Sequence, residues 1–357
     1  MTHNNTHNNE NTNDKTGIVL VGCGYWGVNY VRVFNELPNA HIAVVCDQRE
    51  ERLREIQKRF PSVRVTTDLN DALHNFDAQA AVVCTGATTH HALVKQCLQA
   101  GKHVMVEKPM TTCSTCGEEL AAIAATQGLT LMVGHTFLYN NAVRQVKDCL
   151  KDIGQVYYLY ARRTNLGPIR HDVNALWDLA PHDVSIFNYW MEASPEWVSA
   201  VGSRVLQNGA KADEKGREDV GFVTLGYPNS VIAHIHVSWA DPHKVREMVV
   251  VGSHERIVFN DLNPLEAVRV FEKGISVQPQ TEANNYGEHQ LSMREGNIIS
   301  PHIEPGEPLR AECAHFIECV RTGSKPLTGS KEGLDVVRVM EAIDKSMAAK
   351  GAPVTIS

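Results

Sequence analysis

Short apolar runs alternate with amphipathic stretches through the first third of the chain. Six runs rich in β-branched residues predict strands, and four of the stretches between them repeat their apolar positions at helical spacing. Because uniformly apolar strands are covered on both faces, this alternation predicts a doubly wound parallel sheet with helices on each side. The predicted strands are 18–22, 41–47, 63–67, 80–86, 103–109 and 129–135, and the predicted helices are 26–37, 50–60, 90–100 and 114–126.

From about residue 136 the runs become longer and alternate apolar with polar positions. This pattern predicts a large, mostly antiparallel open sheet with one covered face. The fold class is therefore α/β plus α+β, with an α/β domain over 17–135 and an α+β domain over 136–357. The predicted strands of the second half are 156–165, 196–206, 221–227, 230–240, 245–253 and 255–261, followed by a polar loop over 277–308 and helices over 309–322 and 331–349.

Two features of the second half are expected to form contacts, one at the cleft between the domains and one with another subunit. A helix over 178–191 would line the cleft between the domains. Pro181 is expected in its first turn, because a proline deeper in a helix removes a hydrogen bond. The outer face of the antiparallel sheet is expected to carry Tyr158, Tyr160 and Trp239, which makes it a candidate interface of a homodimer or homotetramer.

Composition narrows the classes of function. The first sixteen residues are almost entirely polar and are expected to form a disordered tail, without the apolar core of a signal peptide. A net charge of −7, built from both signs, offers no broad basic surface, and no apolar run approaches the ~20 residues that cross a bilayer. We therefore expect a cytoplasmic protein with no nucleic-acid or membrane partner.

Cysteines and histidines give little indication of metal chemistry. Four of the nine cysteines lie in or beside apolar runs, and reduced thiols are expected. Cys113 and Cys116 have the spacing of a redox or zinc half-site, but no second pair follows at zinc-ribbon spacing. The seventeen histidines, His234 and His236 among them, lack a matched ligand cluster, so we expect no metal site.

Three glycines follow the first predicted strand in the stretch GCGYWG and open the first predicted helix. In that context Gly22 permits a tight turn, Gly24 lets a pyrophosphate approach, and Gly27 lets helix and strand pack closely. The helix N-terminus would then face the phosphates, with Tyr25 and Trp26 in the same turn. The stretch predicts a dinucleotide site rather than a flexible corner.

Asp47 ends the second predicted strand, about 20 residues past the last glycine, where a carboxylate can accept hydrogen bonds from an adenosine ribose. A carboxylate there repels the extra phosphate of NADP, so we expect NAD as the cofactor. NADP remains the less favoured alternative, because Arg49 could pair with its 2′-phosphate if the Asp47 side chain turned away. Asp47 could also simply cap the following helix.

A second group of residues could carry chemistry at the same edge of the sheet. Lys108 stands between Glu107 and Pro109 at the carboxyl end of the fifth strand, the edge where open α/β sheets bind ligands. Asp178 and His182 are four residues apart and share a helix face, where together they could bind a hydroxyl and accept its proton. A surface lysine and a purely stabilising Asp/His pair are the plainer alternatives.

Together, GCGYWG, the stretch VVCTGATTHHALVKQCLQAGKHVMVEKP and the D-x-x-x-H pair resemble the glucose-fructose oxidoreductase/inositol dehydrogenase/MocA family of NAD(P)-dependent sugar and polyol oxidoreductases. The resemblance covers nearly the whole chain from Gly17 and implies an N-terminal Rossmann domain. It implies that Lys108 lies beside the nicotinamide and the substrate hydroxyl. It further implies that His182 is the acid/base and that Asp178 completes the site.

The resemblance also extends the cofactor site and supports a dimer or tetramer. His90 resembles a family residue that shapes the cofactor-binding loop, although alone it would be a helix-start histidine. Thr85 and Glu107, at the ends of the fourth and fifth strands, are predicted as further cofactor contacts.

Three segments, NLGPIRHDVNALWDLAPHD, SWADPHKVREMVVVGS and EPLRAECAHFIECVRTGSKPLTG, look most like family members that act on nucleotide-linked sugars. Some of these members oxidise C3 to a ketone that an aminotransferase takes, which implies a UDP-linked amino sugar and a polysaccharide or glycan pathway. Arg163, Asn165 and Arg170 would contact this substrate, and Arg162, Arg163 and Arg170 could make bidentate contacts to its diphosphate. Arg162 and Arg163 could equally be strand residues that face solvent.

The chemistry expected is oxidation of a secondary alcohol. His182 would remove the hydroxyl proton, Lys108 would steady the alkoxide and Asp178 would orient the substrate, while hydride passes to the nicotinamide. A free sugar or inositol dehydrogenase, an NADPH-dependent keto-sugar reductase and a non-catalytic cofactor sensor remain alternatives. Leu176 and Trp177 replace a glycine-rich stretch of many relatives, so a differently shaped pocket is expected.

Overall fold

Two large sheets organise the part of the chain that the computed structural model describes, residues 15–167, 169–170, 172–206, 217–277 and 291–356. Residues 1–14 of the predicted tail lie outside these ranges. The first strand begins at Thr16 rather than at residue 18. None of the helices in the described ranges is long and apolar enough to cross a membrane.

The first sheet is parallel, as predicted, and the polar ends of the predicted runs lie beyond its strands. Its strands are β1 (Thr16–Val21), β2 (Ala40–Cys46), β3 (Arg64–Thr66), β4 (Ala80–Val83), β5 (His103–Glu107) and β6 (Leu131–Gly134). Their order across the sheet is β3-β2-β1-β4-β5-β6, so the winding reverses between β1 and β4. Such a reversal opens a crevice at the carboxyl edge, where α/β sheets bind ligands.

Five helices connect these strands and cover their apolar side chains. They are α1 (Gly27–Glu36), α2 (Glu50–Arg59), α3 (Leu69–His74), α4 (His90–Gln99) and α5 (Ser114–Gln127). Four of them match the predicted helices to within one residue at each end. The short α3 was not predicted, although Asp68 caps it by accepting hydrogen bonds from the Asn70 and Asp71 N–H groups at 2.8 and 3.4 Å.

The second sheet is mostly antiparallel, as predicted, and nine strands form it within the described ranges. The second half contains β7 (Val156–Leu166), β8 (Trp197–Ser203), β9 (Val220–Gly226), β10 (Ile232–Ser238), β11 (Ala240–Gly252), β12 (Arg256–Asn260), β13 (Val268–Phe271), β14 (Gly274–Val277), β15 (Leu291–Arg294), β16 (Ile298–Ile299) and β17 (Val354–Thr355). The sheet order is β16-β13-β12-β11-β7-β10-β9-β8-β17, and β7 and β10 run parallel. Strands β14 and β15 pair separately.

The prediction of one loop over 277–308 is wrong in part, because β15 and β16 lie within it. Both strands are short, and β16 pairs with only two residues of β13. Strands this short carry too few residues to show a period of two above a polar background. The remainder of that prediction includes residues 278–290, which lie outside the described ranges.

Four further helices accompany the second sheet: α6 (Asn141–Cys149), α7 (Ala175–Met191), α8 (Pro308–Thr322) and α9 (Ser330–Ala348). The prediction that Pro181 lies in the first turn of its helix is wrong, because α7 begins six residues earlier. Asn174 caps α7 by accepting the Trp177 N–H at 2.9 Å. This cap and the burial of side chains on both sides of Pro181, including Phe187, outweigh the hydrogen bond that the proline removes.

The outer face of the second sheet is exposed and carries large apolar side chains. Tyr158, Phe222 and Ile232 are 46%, 42% and 38% exposed, and Tyr160 is half-buried beside them. Trp239 does not belong to this face, contrary to prediction, because it lies past the end of β10 and is only 1% exposed. The alternation within the predicted strand 230–240 assigned Trp239 to the outer face. Strand β10 ends at Ser238, however, so Trp239 lies outside the sheet.

The C-terminal helices return to both sheets, as predicted. Thr328, just before α9, accepts the Val133 N–H of β6 at 2.7 Å. At the end of α9, the Ser346 hydroxyl accepts the Ala200 N–H of β8 at 2.8 Å. The same segment of chain therefore joins the parallel sheet to the antiparallel one.

Candidate active site

A cleft of about 1680 Å³ lies at the carboxyl edge of the first sheet and extends to β7 and α7. Gly27, His90 and Asp178 stand behind its wall, whereas the other predicted site residues line it. The lining residues among them are Gly22, Gly24, Tyr25, Trp26, Asp47, Thr85, Glu107, Lys108, Arg163, Asn165, Arg170 and His182.

The glycine-rich turn forms one end of the cleft. Gly22 has a φ of +92°, and a Cβ there would lie 2.5 Å from Cys84 O, so the turn requires glycine. A Cβ on Gly27 would collide with Gly22 O, which shows how closely α1 packs on the strand end. At Gly24 a Cβ would meet nothing closer than Arg49 at 3.9 Å. That open space beside the α1 N-terminus fits a phosphate group.

Asp47 stands at the end of β2 with its carboxylate already well bonded. It accepts the Cys23 N–H at 2.9 Å and two side-chain bonds from Arg49, at 3.0 and 2.9 Å. Burial opposes its ionisation, but the Arg49 and Cys23 hydrogen bonds outweigh it and lower the pKa of Asp47 to about 2. The Asp47 carboxylate is therefore ionised, and the Arg49 guanidinium is bonded to it. This pair suits the hydroxyls of a ribose better than the third phosphate of NADP.

His90 ties together the loops that follow β4 and β5. Its Nδ1 lies 2.7 Å from Pro109 O and its Nε2 lies 3.2 Å from Thr85 O. Because burial lowers the pKa of His90, the neutral ring donates to one of these two carbonyl oxygens. The contact holds the Lys108 turn against the Thr85 loop.

Lys108, which lines the cleft, is bonded to Asp178 behind the wall. Lys108 Nζ donates to the main-chain oxygen of Asp178 at 2.8 Å and lies 3.4 Å from its Oδ1. Arg170 donates to the same Oδ1 at 2.9 Å and also binds Asp172 at 2.6 Å. Two cations therefore share the Asp178 charge. Since an ammonium has three N–H bonds and the described residues accept two, the third is left for a substrate oxygen.

His182 lines the cleft one helical turn after Asp178. Its Nδ1 is buried with no hydrogen-bond partner among the described residues, so Nε2 is the nitrogen that reaches the cleft. Burial first, then the charges of Lys108 and Arg163, lower the pKa of His182 well below its usual value. The imidazole is therefore neutral at pH 7 and can accept a proton. The Phe137 ring packs edge-on against it, with centroids 5.0 Å apart.

Three buried residues with polar side chains near the cleft were not predicted from the sequence: Tyr30, Glu312 and His135. Tyr30 donates to Glu107 Oε1 at 2.7 Å, and burial raises the pKa of Glu107. Burial and the Glu107 charge raise the pKa of Glu312 well above its usual range. His135 directly follows β6, and burial lowers its pKa to about 4. The carboxyl-edge rule that indicated Lys108 would have indicated His135 as well.

The three arginines predicted near a diphosphate occupy different positions in the structure. Arg163 is 4% exposed, and its Nε and Nη2 donate to Asp183 Oδ1 at 3.0 and 2.7 Å. Arg162 lies on the outer face of the sheet, in register with His236, and does not line the cleft. Arg246 was not predicted, yet it lines the cleft and pairs with Asp261 at 3.1 Å.

Sequence comparison identifies the family. Residues 16–135 match the oxidoreductase family with the NAD-binding Rossmann fold, and residues 143–258 match the GFO/IDH/MocA C-terminal domain, which together is well over half of the chain. The chain belongs to the GFO/IDH/MocA oxidoreductases. This oxidoreductase is NAD-dependent and acts on a sugar hydroxyl, so the resemblance seen in its motifs and the expected cofactor are confirmed.

Relatives of this oxidoreductase differ in substrate. It is 32% identical to inositol 2-dehydrogenase of Rhodococcus jostii over 86% of this chain and 82% of that protein. It is 25% identical to UDP-N-acetylglucosamine 3-dehydrogenase of Acidithiobacillus ferrooxidans over 74% and 79%. The WlbA dehydrogenase of Bordetella pertussis, solved with NADH and UDP-GlcNAcA, shares the fold at a TM-score of 0.76 and 20% identity, covering 96% and 99% of the two chains.

The geometry of the GFO/IDH/MocA oxidoreductase fits NAD along one wall of the cleft. The glycine turn and the open α1 N-terminus suit the pyrophosphate, and Asp47 suits the adenosine ribose. Lys108 and His182 lie further along the same cleft, with a cation and a neutral imidazole available to one hydroxyl. This arrangement can bind an alcohol, remove its proton and stabilise the negative oxygen.

Proposed function

We propose that this oxidoreductase oxidises a secondary hydroxyl of a nucleotide-linked sugar, specifically C3 of a UDP-linked amino sugar, with NAD as the acceptor. The observation that carries the chemistry is that Lys108 and His182 line one cleft and that Asp178, behind its wall, is bonded to Lys108. The cleft volume of about 1680 Å³ exceeds the roughly 300 to 1,000 Å³ of ordinary small-molecule pockets, as a site that holds both NAD and a sugar substrate requires. The relative that acts on UDP-N-acetylglucosamine supports the same substrate class.

Each step that the protein performs falls to a named group. His182 accepts the hydroxyl proton at Nε2, the ring nitrogen on the cleft side. Lys108 donates its third N–H to the same oxygen and stabilises its negative charge as the proton leaves. Asp178 holds the Lys108 ammonium in place and, with Arg170, positions the neighbouring hydroxyls. Bound NAD supplies the two-electron acceptor for the carbinol hydrogen.

Substrate binding is assigned to the cleft end formed by β7 and β11. Asn165 and Arg170 line this end, and Arg246 adds a cation that is 39% exposed at its side chain. Arg163 keeps a place in the proposed substrate wall, but its side chain is only 5% exposed and is bonded to Asp183. The side chains of Arg170 and Arg246 also have acidic partners, but they are 35% and 39% exposed. We therefore assign diphosphate binding to Arg170 and Arg246, and the shape of the wall to Arg163.

A substrate panel tests the proposal. Purified enzyme is given NAD with UDP-N-acetylglucosamine, UDP-GlcNAcA, N-acetylglucosamine and myo-inositol, and the absorbance of the reduced nicotinamide is followed. We expect kcat/KM for a UDP-linked sugar to exceed that for the free sugar and for myo-inositol at least about tenfold, the equivalent of 1.4 kcal/mol of binding. Mass spectrometry of the product should show a 3-keto sugar that still carries UDP.

Other outcomes identify the alternatives. Turnover of myo-inositol with inert UDP-sugars would make the protein a polyol dehydrogenase, which the 32% identical relative favours. Reduction of a keto sugar with NADPH and no oxidation with NAD would make it a reductase. NAD binding in a calorimeter without turnover of any alcohol would leave it a cofactor sensor.

We also propose that the protein forms a homodimer or homotetramer through the outer face of the second sheet. Val201, Phe222 and His236 are neighbours in the strand register, and Tyr158 pairs with Ile232 two rows away on the same face. The exposed apolar side chains of these rows support a protein interface. A cytoplasmic location and a role in polysaccharide biosynthesis stay predictions from the sequence.

A further inference from the structure

The only cysteine pair with close spacing stands at the start of α5, five residues after Lys108. Cys113 and Cys116 are joined as a disulfide, with Cα atoms 5.3 Å apart, and both residues are partly exposed. The expectation of reduced thiols therefore does not extend to this pair. Nothing in the proposed sugar oxidation uses it, so it requires a separate explanation.

The other seven cysteines are held in a different environment. Six are buried and Cys149 is half-buried. Burial raises the pKa of every one of their thiols, to about 12 for Cys23 and about 11 for Cys46. Since the thiolate is the reactive form, these seven are poor nucleophiles. Chemical reactivity toward solutes is thereby concentrated at the exposed pair.

The helix start favours a thiolate on Cys113 in particular. Cys113 is the N-cap of α5, and its sulfur accepts the Cys116 N–H at 3.3 Å and the Thr115 hydroxyl at 3.7 Å. Helix N-termini stabilise anions, and among the described residues the first turn of α5 carries no acid that would oppose this. The carboxylate of Glu341, which reaches this helix start, accepts the Ser114 N–H and hydroxyl at 2.9 and 2.6 Å.

A zinc half-site is the other role that this spacing allows. A zinc ion needs four ligands, and the two cysteines would have to find partners elsewhere. In the described part of the chain no three His, Cys, Asp or Glu side chains come together to hold a metal. The geometry thus favours redox chemistry over metal binding at the pair.

We propose that Cys113 and Cys116 form a reversible thiol–disulfide site that exchanges with low-molecular-weight disulfides, with Cys113 as the attacking thiol. The Cys113 thiolate attacks a sulfur of the disulfide RSSR, forming a mixed disulfide and releasing one RS⁻. Cys116, after losing its proton to solvent, attacks Cys113 Sγ, closes the protein disulfide and releases the second RS⁻. Two protein thiols are oxidised and one RSSR is reduced to two RSH; a dithiol reductant reverses the reaction.

The test uses the full-length protein and glutathione as the probe. Reduced protein is incubated with glutathione disulfide, and disulfides and adducts are mapped by mass spectrometry of peptides. Wild type should form the Cys113–Cys116 disulfide and lose it again in dithiothreitol. Cys116→Ser should instead trap one glutathione on Cys113. Cys113→Ser, which keeps a good N-cap residue, should form its adduct on Cys116 roughly tenfold more slowly, since a helix N-terminus lowers a thiol pKa by a unit or more.

Cys149→Ser is the matched control, because it removes the half-buried thiol and should leave every rate unchanged. The proposal is overturned if the pair stays reduced in glutathione disulfide, or if Cys149 and the buried thiols oxidise first. A faster adduct in Cys113→Ser than in Cys116→Ser would overturn the assignment of the nucleophile. None of these readouts depends on the sugar substrate, so failure here leaves the proposed function intact.

Discussion

At the scale of single residues, the protonation state of His182 decides whether the site can act as a base. Burial keeps the ring neutral, and in the proposed mechanism Lys108 stabilises the charge that appears when the hydroxyl proton leaves. We expect His182→Ala to lower kcat by about 10² to 10⁴, the usual size of general base catalysis, while the Kd for NAD stays within a factor of two or so. Steady-state kinetics and calorimetry measure the two quantities.

The matched control for this variant is His91→Ala, at a partly exposed histidine that pairs with Glu119 away from the cleft. It should retain full activity. Near-normal turnover in His182→Ala would show that another group takes the proton.

Asp47 should decide the cofactor preference. Removing its carboxylate in Asp47→Ser frees the Arg49 guanidinium, which now donates two bonds to Asp47, to meet a 2′-phosphate. We expect kcat/KM with NAD to fall and that with NADP to rise, each by about tenfold, because a charged hydrogen bond contributes roughly 1.5 to 3 kcal/mol. Asp47→Ser/Arg49→Ala is the control and should lose NAD without gaining NADP. An unchanged preference would place the ribose elsewhere.

The buried histidines predict how stability depends on pH. The pKa of His135 falls from 6.5 in the unfolded chain to about 4 in the fold, and that of His182 is also lowered. Because the unfolded state then binds more protons, their contribution is complete above about pH 6.5 and is lost as the pH falls towards 4. For His135 alone we expect a loss of about 2 kcal/mol in unfolding free energy between pH 7.5 and 5.

Urea unfolding at the two pH values measures this effect in wild type and in His135→Asn, which does not titrate. The variant should show the smaller difference between pH 7.5 and 5. His302→Asn, at a histidine whose side chain is 79% exposed, should behave as wild type. Equal pH dependence in all three proteins would contradict the assignment.

Much of the site was predictable because its residues follow strands. Gly22, Asp47 and Lys108 come directly after β1, β2 and β5, and chain connectivity alone brings strand ends to one edge. Glu312 and Arg246 could not be found this way, since α8 and β11 bring them to the site only by tertiary packing. The ion pair between Arg163 and Asp183 could not be predicted for the same reason, because Asp183 lies twenty residues further on, in α7.

At the scale of elements, the buried Arg163–Asp183 pair fixes α7 against β7. Both side chains are nearly inaccessible, at 5% and 1% exposure. We expect Arg163→Met to destabilise the protein by about 3 to 5 kcal/mol in urea unfolding, because it leaves a buried carboxylate without its cation. Arg163→Met/Asp183→Leu should recover most of that loss, and a double variant as unstable as the single one would show that the arginine stem, not the charge, matters.

Most elements were predictable from periodicity, and the exceptions have local causes. The strands of the parallel sheet are long apolar runs, so their pattern was unambiguous. The predicted start of α7 was wrong because Pro181 was taken to mark the first turn of the helix. Asn174, a good N-cap residue, marks the actual start. Helix α3 has six residues, too few to show an amphipathic period, and only its Asp68 cap marks it in the sequence.

At the scale of the whole molecule, assembly should depend on the outer face of the second sheet. Phe222→Glu/Ile232→Glu places two charges among the exposed apolar rows and should convert a dimer or tetramer into a smaller species. Sedimentation velocity measures the change. Leu265→Glu is the matched control, since that leucine is 91% exposed outside the sheet face. A wild type that sediments as a monomer would remove the proposed interface.

The return of the C-terminal helices has a consequence for biosynthesis. β6 is a strand of the parallel sheet, yet the Val133 N–H obtains its acceptor from Thr328, and Ser114 is anchored by Glu341. A nascent chain that has emerged only as far as β6 holds all six strands of the first sheet but lacks these two partners, which follow about two hundred residues after β6. Such late contacts slow folding and keep apolar surface open during translation. The ribosome must finish the whole polypeptide before the nucleotide-binding half reaches its final packing.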